Sequence, residues 1–458
     1  MLKSEKINKQ GLVIMKRLLF LLVGAFIIST VSMAQPTRHI ILVSIDGFRP
    51  EFYLDSTWPV PNMQQLKVKG AYAQKVKSVF PSFTYPSHVA MLTGALPARS
   101  GIYYNTPFEP EGSTGKWNWF VKDIKVPTLW SSIKAAGMTS AAVEWPVSVI
   151  DDITWNIPEI WDTKHPEDRI TEVRKYATKG LIEEIEANAT GKLNGENMNE
   201  EYMSLDENSG RMAAYIFKTY KPNLLAVHFA EVDGKQHEEG RDGAKVKLAV
   251  ATADRAIGDL LEAIEQAKLQ DSTVIIITGD HGFMNMKQVL RPNVWLKEAQ
   301  LMGEGKDWKV KFQPAGGSAF LYLQNPKDEQ TLSKVKDILN KLPADTKKLF
   351  TIYDRKKLDA MGADSSAVLA LAAASGIIFS GSAQGPIVSL APSGGHHGYD
   401  PDMPEMYTGF IGYGPGLNKG VVIPLMSVKD TAPLIATLLG LTFKSQDGVL
   451  YPGLVSGK

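Results

Sequence analysis

An α/β fold, with a mostly parallel central sheet flanked by helices and a small inserted α+β lobe, is predicted by three features of this sequence. Short β-branched runs alternate with amphipathic stretches, the runs are apolar on both faces, and no internal repeat or low-complexity linker divides the chain. The clearest run is His39-Ile40-Ile41-Leu42-Val43-Ser44-Ile45-Asp46, which suits a strand buried on both sides.

Residues 1–34 are expected to be a secretory signal rather than part of the fold. Met15-Lys16-Arg17 precedes the apolar run Leu18–Val31, and Ser32-Met33-Ala34 offers a small-x-small cleavage site. The apolar run is shorter than the ~20 residues a bilayer span needs. Met15 is an alternative start. This segment predicts a periplasmic or extracellular protein with no stable membrane anchor once the signal is removed. Residues 35–458 then form one catalytic domain. Within it, Thr139–Val143, Leu224–Phe229, Val274–Thr278 and Tyr407–Gly412 read as further buried parallel strands. Ala244–Leu269 places Val246, Ala249, Ala253, Ile257, Leu260, Leu261 and Ile264 on one helical face. Two segments break the rhythm. Residues 160–215, polar and rich in Glu and Asn, suit a solvent-facing helical insertion. Residues 295–390 contain strand-like Ala319–Leu323, helix-like Glu329–Leu342 and an Ala/Ser/Gly-rich stretch, the expected α+β lobe.

Composition narrows the chemistry. The 458 residues are 44% hydrophobic, which excludes disorder, and they include no cysteine, which excludes thiolate metal sites and cysteine nucleophiles. Fifty basic against 49 acidic residues argue against a nucleic-acid duplex as partner. Oligomeric state is not set by the sequence. Ligands of open α/β sheets collect beyond the C-terminal strand ends, and there this chain repeatedly places acid and imidazole groups. Asp46 ends the first strand, Asp233 and His237 follow Leu224–Phe229, and Asp280-His281 follows Val274–Thr278. A glycine-flanked pair, His396-His397, offers a further imidazole in a loop flexible enough to fold over a metal. Carboxylates gathered at one edge need a positive partner, and oxygen and nitrogen donors without sulfur suit two Zn²⁺ ions. Thr84 precedes a helix entered through Pro86, where free N–H groups favour an anion. Ser82, Thr84 or Ser87 could equally be a simple helix cap. A hydroxyl bound to zinc loses its proton more readily, which makes Thr84 the nucleophile candidate.

These residues resemble the nucleotide pyrophosphatase/phosphodiesterase family of the alkaline phosphatase superfamily, from Ile40 to Leu441. The matching pieces occur in the family's order. They are Val43–Phe48, the Thr84 segment through Gly94, Pro97–Ile102, Asn105, Glu144-Trp145-Pro146, Glu231–His237, Gly279–Gly282, His397–Asp400 and Gly412–Gly416. The resemblance implies an alkaline-phosphatase-like fold. It implies one zinc on Asp233, His237 and His397, and a second on Asp46, Asp280, His281 and the Thr84 oxygen. Asn105 would donate to a phosphoryl oxygen. Of the adjacent imidazoles, His397 fits the spacing before Gly398-Tyr399-Asp400 better than His396. Where the family often has an aromatic base-stacking residue this chain has His228, so Tyr85 and His228 are the candidate substrate contacts.

The expected activity is hydrolysis of a small-molecule phosphodiester or nucleotide phosphoanhydride through a phospho-threonine intermediate. The nearest alternative is a phosphomonoesterase on the same scaffold, which would need added cations; Arg49, Lys122 and Lys125 are available but form no motif. An alternative of another class is a non-catalytic secreted zinc-containing binding protein.

Overall fold

The computed structural model describes residues 37–150 and 152–457, so the expected signal segment lies outside the described residues. The main sheet has eight strands: β1 (His39–Ile45), β2 (Ala71–Ala73), β3 (Ser140–Val143), β4 (Trp155–Ile157), β5 (Leu224–Phe229), β6 (Thr273–Thr278), β7 (Phe410–Tyr413) and β8 (Val422–Ile423). Their spatial order is β8-β2-β7-β6-β1-β5-β3-β4. Five neighbouring pairs are parallel. Only β7 runs against its neighbours, β2 and β6. The run expected at 407–412 is therefore a strand, but an antiparallel one beginning at Phe410. An apolar stretch buried on both faces suits a central strand of either direction, so the pattern alone cannot set polarity.

Alternation along β1 divides the core. Ile41, Val43 and Ile45 face one cluster, with helices α2 (Leu205–Tyr220) and α4 (Ala244–Gln266). Ile40 and Leu42 face the other, with α1 (Thr84–Thr93) and α5 (Thr431–Leu439). Of the predicted stripe on α4, Val246, Ala249, Ala253, Ile257, Leu260 and Ile264 are buried and Leu261 is partly buried. The 160–215 stretch is helical only in pieces, and it does not face solvent throughout: Leu205, Met212 and Ala213 of α2 are buried. Between residues 310 and 373 lies a separate four-stranded antiparallel sheet, ordered Val310–Ala315, Ser318–Leu323, Leu369–Ala373, Phe350–Asp354. Helix Glu329–Lys341 buries Val335 and Leu339 in that lobe's own apolar cluster.

Register positions the chemistry. Ile45 pairs with Phe229 and Ser44 with Thr278, so β1, β5 and β6 end level with one another. Asp46, α3 (Glu231–Glu239) and Asp280 all emerge from that edge.

Candidate metal centre and substrate cavity

Asp46 leaves β1 into a turn that only glycine serves well. Gly47 has φ +67°, and a Cβ there would lie 2.6 Å from Gln236 Nε2. The Gly47 N–H donates to Asp280 Oδ1 at 3.0 Å, tying two strand ends together. On α3, Asp233 and His237 stand one turn apart, with Oδ2 and Nε2 3.2 Å from each other. His281 Nε2 lies 3.3 Å from Asp46 Oδ1 and 3.1 Å from Asp280 Oδ2. His397 Nε2 lies 3.8 Å from Asp233 Oδ1, and its ring stacks on His281 at 3.8 Å.

Each of these imidazoles is fixed in one tautomer by the backbone. Nδ1–H donates to the carbonyl of Gly395 from His237 (3.0 Å), of Gly282 from His281 (3.2 Å) and of Ser82 from His397 (3.0 Å). The proton sits on Nδ1, so every Nε2 presents its lone pair to the cluster, as a metal ligand must. His396 is arranged the opposite way. Its Nδ1 accepts from the His397 N–H at 2.9 Å, which uses the lone pair, and burial holds its pKa down at about 3. The His396–His397 loop is not slack: Gly395-His396 pairs with Met284-Asn285, and Gly398 N–H donates to Ser82 O at 2.9 Å.

The donor set fits divalent cations. Asp46 Oδ1, Asp233 Oδ1 and Asp280 Oδ2 are buried oxygens with no hydrogen-bond partner. Asp233, His281 and His397 bring one ligand atom each within 4.8 Å of one another, as do Asp46, Asp280 and His281. Burial first, and then the neighbouring carboxylate, push Asp46 and Asp280 well above the usual carboxylate range. Asp233 is also raised by burial, but His237, His397 and His281 outweigh that and hold it below. Carboxylate oxygens and imidazole Nε2 atoms at these separations suit divalent metal ions.

Thr84 is the first residue of α1, and Phe83, with no side-chain cap, precedes it. Neither Ser82 nor Ser87 caps the helix: Ser82 Oγ donates to Tyr399 O, and Ser87 Oγ meets Ser78 Oγ at 3.0 Å. Thr84 Oγ1 instead lies 3.5 Å from His281 Nε2. Asn105 is oriented by the Tyr85 N–H, which donates to its Oδ1 at 3.0 Å and leaves the amide N–H₂ group to donate elsewhere. Asp46, Thr84, Asn105, Asp233, His237 and His397 all line one cavity of about 350 Å³.

The two candidate substrate contacts, Tyr85 and His228, both line this cavity. Tyr85 is buried, its hydroxyl donating to Glu159 Oε1 at 3.0 Å. His228 is buried too, with Nε2 3.3 Å from Asp46 Oδ2 and its ring 4.6 Å from that of His88. Arg49, Lys122 and Lys125 do not line the cavity; Arg169 does, stacked on Trp161 at 4.5 Å. The wall also carries residues to which the sequence reading gave no role in the site, among them Trp117, Glu144, Glu159, Trp161 and Glu200. The clustering of Trp117-Asn118-Trp119 and Glu159-Ile160-Trp161 outside apolar periodicity was the available signal.

A mixed sheet with acids and imidazoles gathered beyond its strand ends is an alkaline-phosphatase-like fold. Human ectonucleotide pyrophosphatase/phosphodiesterase 5 superposes with TM-score 0.66 at 21% identity, covering 90% of this chain and 97% of that one. A structure of the murine counterpart, an inactive form in complex with AMP, gives 0.65 over the same shares at 21% identity. In sequence, human ectonucleotide pyrophosphatase/phosphodiesterase family member 5 is 22% identical over 94% of this chain and 80% of its own length. A Xenopus laevis bis(5′-adenosyl)-triphosphatase is 23% identical over 90% and 80%. The type I phosphodiesterase/nucleotide pyrophosphatase family profile matches residues 40–400, and the chain belongs to that family of phosphodiester-bond hydrolases.

Proposed function

We propose that this enzyme acts outside the cytoplasm as a phosphodiesterase/nucleotide pyrophosphatase with two zinc ions and a phospho-threonine intermediate on Thr84. The observation that carries this reading is the convergence of three lone-pair-bearing Nε2 atoms and three partnerless carboxylate oxygens beside one threonine hydroxyl. Asp233, His237 and His397 would hold one ion, and Asp46, Asp280, His281 and the Thr84 oxygen the other. Bound there, the ions supply Lewis acidity to the attacking and departing oxygens.

Thr84 Oγ1 forms a bond to phosphorus, its proton passing to water, and the bond from phosphorus to the departing oxygen breaks with its electron pair. Water then adds to phosphorus, and the Thr84–phosphorus bond breaks, returning the hydroxyl. Asn105 donates from its free amide group to a non-bridging oxygen, and the Thr84 N–H at the helix start assists. The AMP held by the murine relative supports a nucleotide or similar small diester as substrate. A monoester preference finds no support, because Arg169, the lysine or arginine of the cavity wall, is engaged with Trp161. No helix of the described residues is long and apolar enough to cross a membrane.

Thr84→Ala should keep zinc content within about two-fold of wild type while hydrolysis of bis(p-nitrophenyl) phosphate falls at least ~10³-fold. Undiminished turnover in that variant would remove Thr84 from the chemistry. Faster turnover of p-nitrophenyl phosphate than of the diester would favour the phosphomonoesterase alternative.

A further inference from the structure

Asn105 lies in no helix or strand. It belongs to the irregular segment 103–110, and its nearest backbone support is Asn118, whose N–H donates to Asn105 O at 2.9 Å and whose Nδ2 donates to Tyr104 O at 2.7 Å. Loop backbone of this kind opens more readily than the elements around it. A hydrogen-bond donor placed there therefore needs side-chain anchors to keep its aim, and these come from the inserted lobe.

Alternation along the strand Ser318–Leu323 gives the lobe's sheet two apolar faces. Leu321 and Leu323 turn to the cluster that includes Val335 and Leu339 of helix Glu329–Lys341. Phe320 and Tyr322 turn to a second cluster, which contains Tyr104 and meets Phe83 and Phe108. Lys311 stands directly opposite Tyr322 across the antiparallel pair and so shares its face. On that face the segment is held on both sides of Asn105. Before it, the Tyr104 hydroxyl meets that of Tyr322 at 2.6 Å, and the Tyr322 O–H donates to Asp364 Oδ2 at 2.6 Å. After it, Phe108 stacks on the Tyr322 ring at 4.0 Å and Lys311 Nζ donates to Pro110 O at 2.9 Å.

The Tyr322 proton is committed to the carboxylate, so the Tyr104 O–H is the donor to the Tyr322 oxygen. Burial above all pushes both phenols well above their usual range, and each keeps its proton. Asp364 is fixed in turn, its Oδ1 accepting from the Ser366 N–H at 2.8 Å and its carbonyl from Arg355 Nη1 at 2.6 Å. Tyr104, Tyr322 and Asp364 are all buried, so water cannot readily replace a lost partner.

We infer that the inserted lobe aims Asn105 at the phosphoryl oxygen. The hydrogen-bond chain from Tyr104 through Tyr322 to Asp364 fixes the backbone that carries the amide, while the Tyr85 N–H fixes the amide itself. Tyr104, Tyr322 and Asp364 are thus positioning residues, none of them lining the substrate cavity. This rests on the role proposed for Asn105 above.

The test is a double-mutant cycle in the zinc-loaded enzyme, with bis(p-nitrophenyl) phosphate as substrate. Tyr322→Phe removes one oxygen and keeps the ring on which Phe108 stacks. Tyr104→Phe breaks the same bond from the other side. Each should lower kcat by about five-fold or more, with KM and zinc content within about two-fold of wild type. Asn105→Ala alone should lower kcat by about 10²-fold. In that background neither tyrosine substitution should cost more than a further factor of about two. Where Tyr322→Phe fails to fold, Tyr104→Phe, which keeps the bond from Tyr322 to Asp364, decides alone. The same loss in both backgrounds, or an unchanged kcat in the tyrosine variants, overturns the inference and leaves the phosphodiesterase standing. An unchanged kcat in Asn105→Ala removes Asn105 from the reaction, and the inference falls with it.

Discussion

The carbonyl of Ser82 accepts a hydrogen bond from His397 Nδ1–H, whereas Nδ1 of His396 accepts one from the His397 backbone N–H. That difference decides which imidazole has a lone pair to offer the centre. Sequence spacing favoured His397 only through the Gly-Tyr-Asp that follows it; the hydrogen bonds give the physical reason. His397→Ala should weaken zinc binding by roughly ten-fold or more, as ligand loss exceeds typical loss of an orienting partner. His396→Ala should stay within about three-fold, both read by competition with a chromophoric chelator. Equal losses in the two variants would mean that the loop, and not one ring, holds the metal. Tyr85 and His228 teach a related lesson. Both line the cavity as candidate substrate contacts, and there Tyr85 also donates to Glu159 and His228 also meets Asp46. Sequence identifies a ring but not the direction in which it faces.

At the scale of elements, α3 carries Asp233 and His237, and its start is fixed by α2. Asp206 Oδ1 accepts from the N–H groups of Ala230 at 2.8 Å and Glu231 at 3.3 Å, while Glu231 Oε1 accepts from Asp206 N–H at 3.2 Å. Two helix N-termini thus cap each other. Burial, and then Glu231, push Asp206 well above the usual carboxylate range, so the pair holds its place by hydrogen bonding more than by charge. Asp206→Ala would leave buried N–H groups at the start of α3 without partners and should lower stability by about 1–3 kcal/mol. A urea midpoint unchanged from wild type would show that other contacts already fix the helix. The stripes of α4 and the runs of β1, β5 and β6 were legible because burial imposes a period on neighbouring residues. The reciprocal cap was not, since Asp206 and Glu231 are 25 residues apart. The polarity of β7 was equally hidden, because it depends on which strands flank it. The cavity wall drawn from Trp117, Glu144, Glu159 and Trp161 has no period at all. Only folding brings those four together.

Across the whole molecule, the two candidate half-sites draw on parts of the chain that are remote in sequence. One side comes from α3 and the 394–400 loop, the other from the ends of β1 and β6 and the start of α1. An unfolded chain cannot assemble either set, so ions that bind only the folded form stabilise it by mass action. Burial of Asp46 and Asp280, and then repulsion from the neighbouring carboxylate, also oppose folding until a cation is present, as their raised positions show. Zinc added to metal-free protein at a hundred times its dissociation constant should therefore stabilise the fold by about 2.7 kcal/mol for each independent site. Thermal melts recorded across a zinc titration measure this, and chelation should return the melt to its starting point. The Asp46→Asn and Asp233→Asn variants sharpen the reading, since each removes a charge from a different half-site. Without metal, Asp46→Asn should melt at or above the wild type, whereas Asp233→Asn should melt below it, because His237, His397 and His281 favour the ionised Asp233; both should gain less than wild type when zinc is added. A metal-free melt that zinc leaves unmoved would mean that the acids and imidazoles are held together by the fold alone, with no cation needed to settle them.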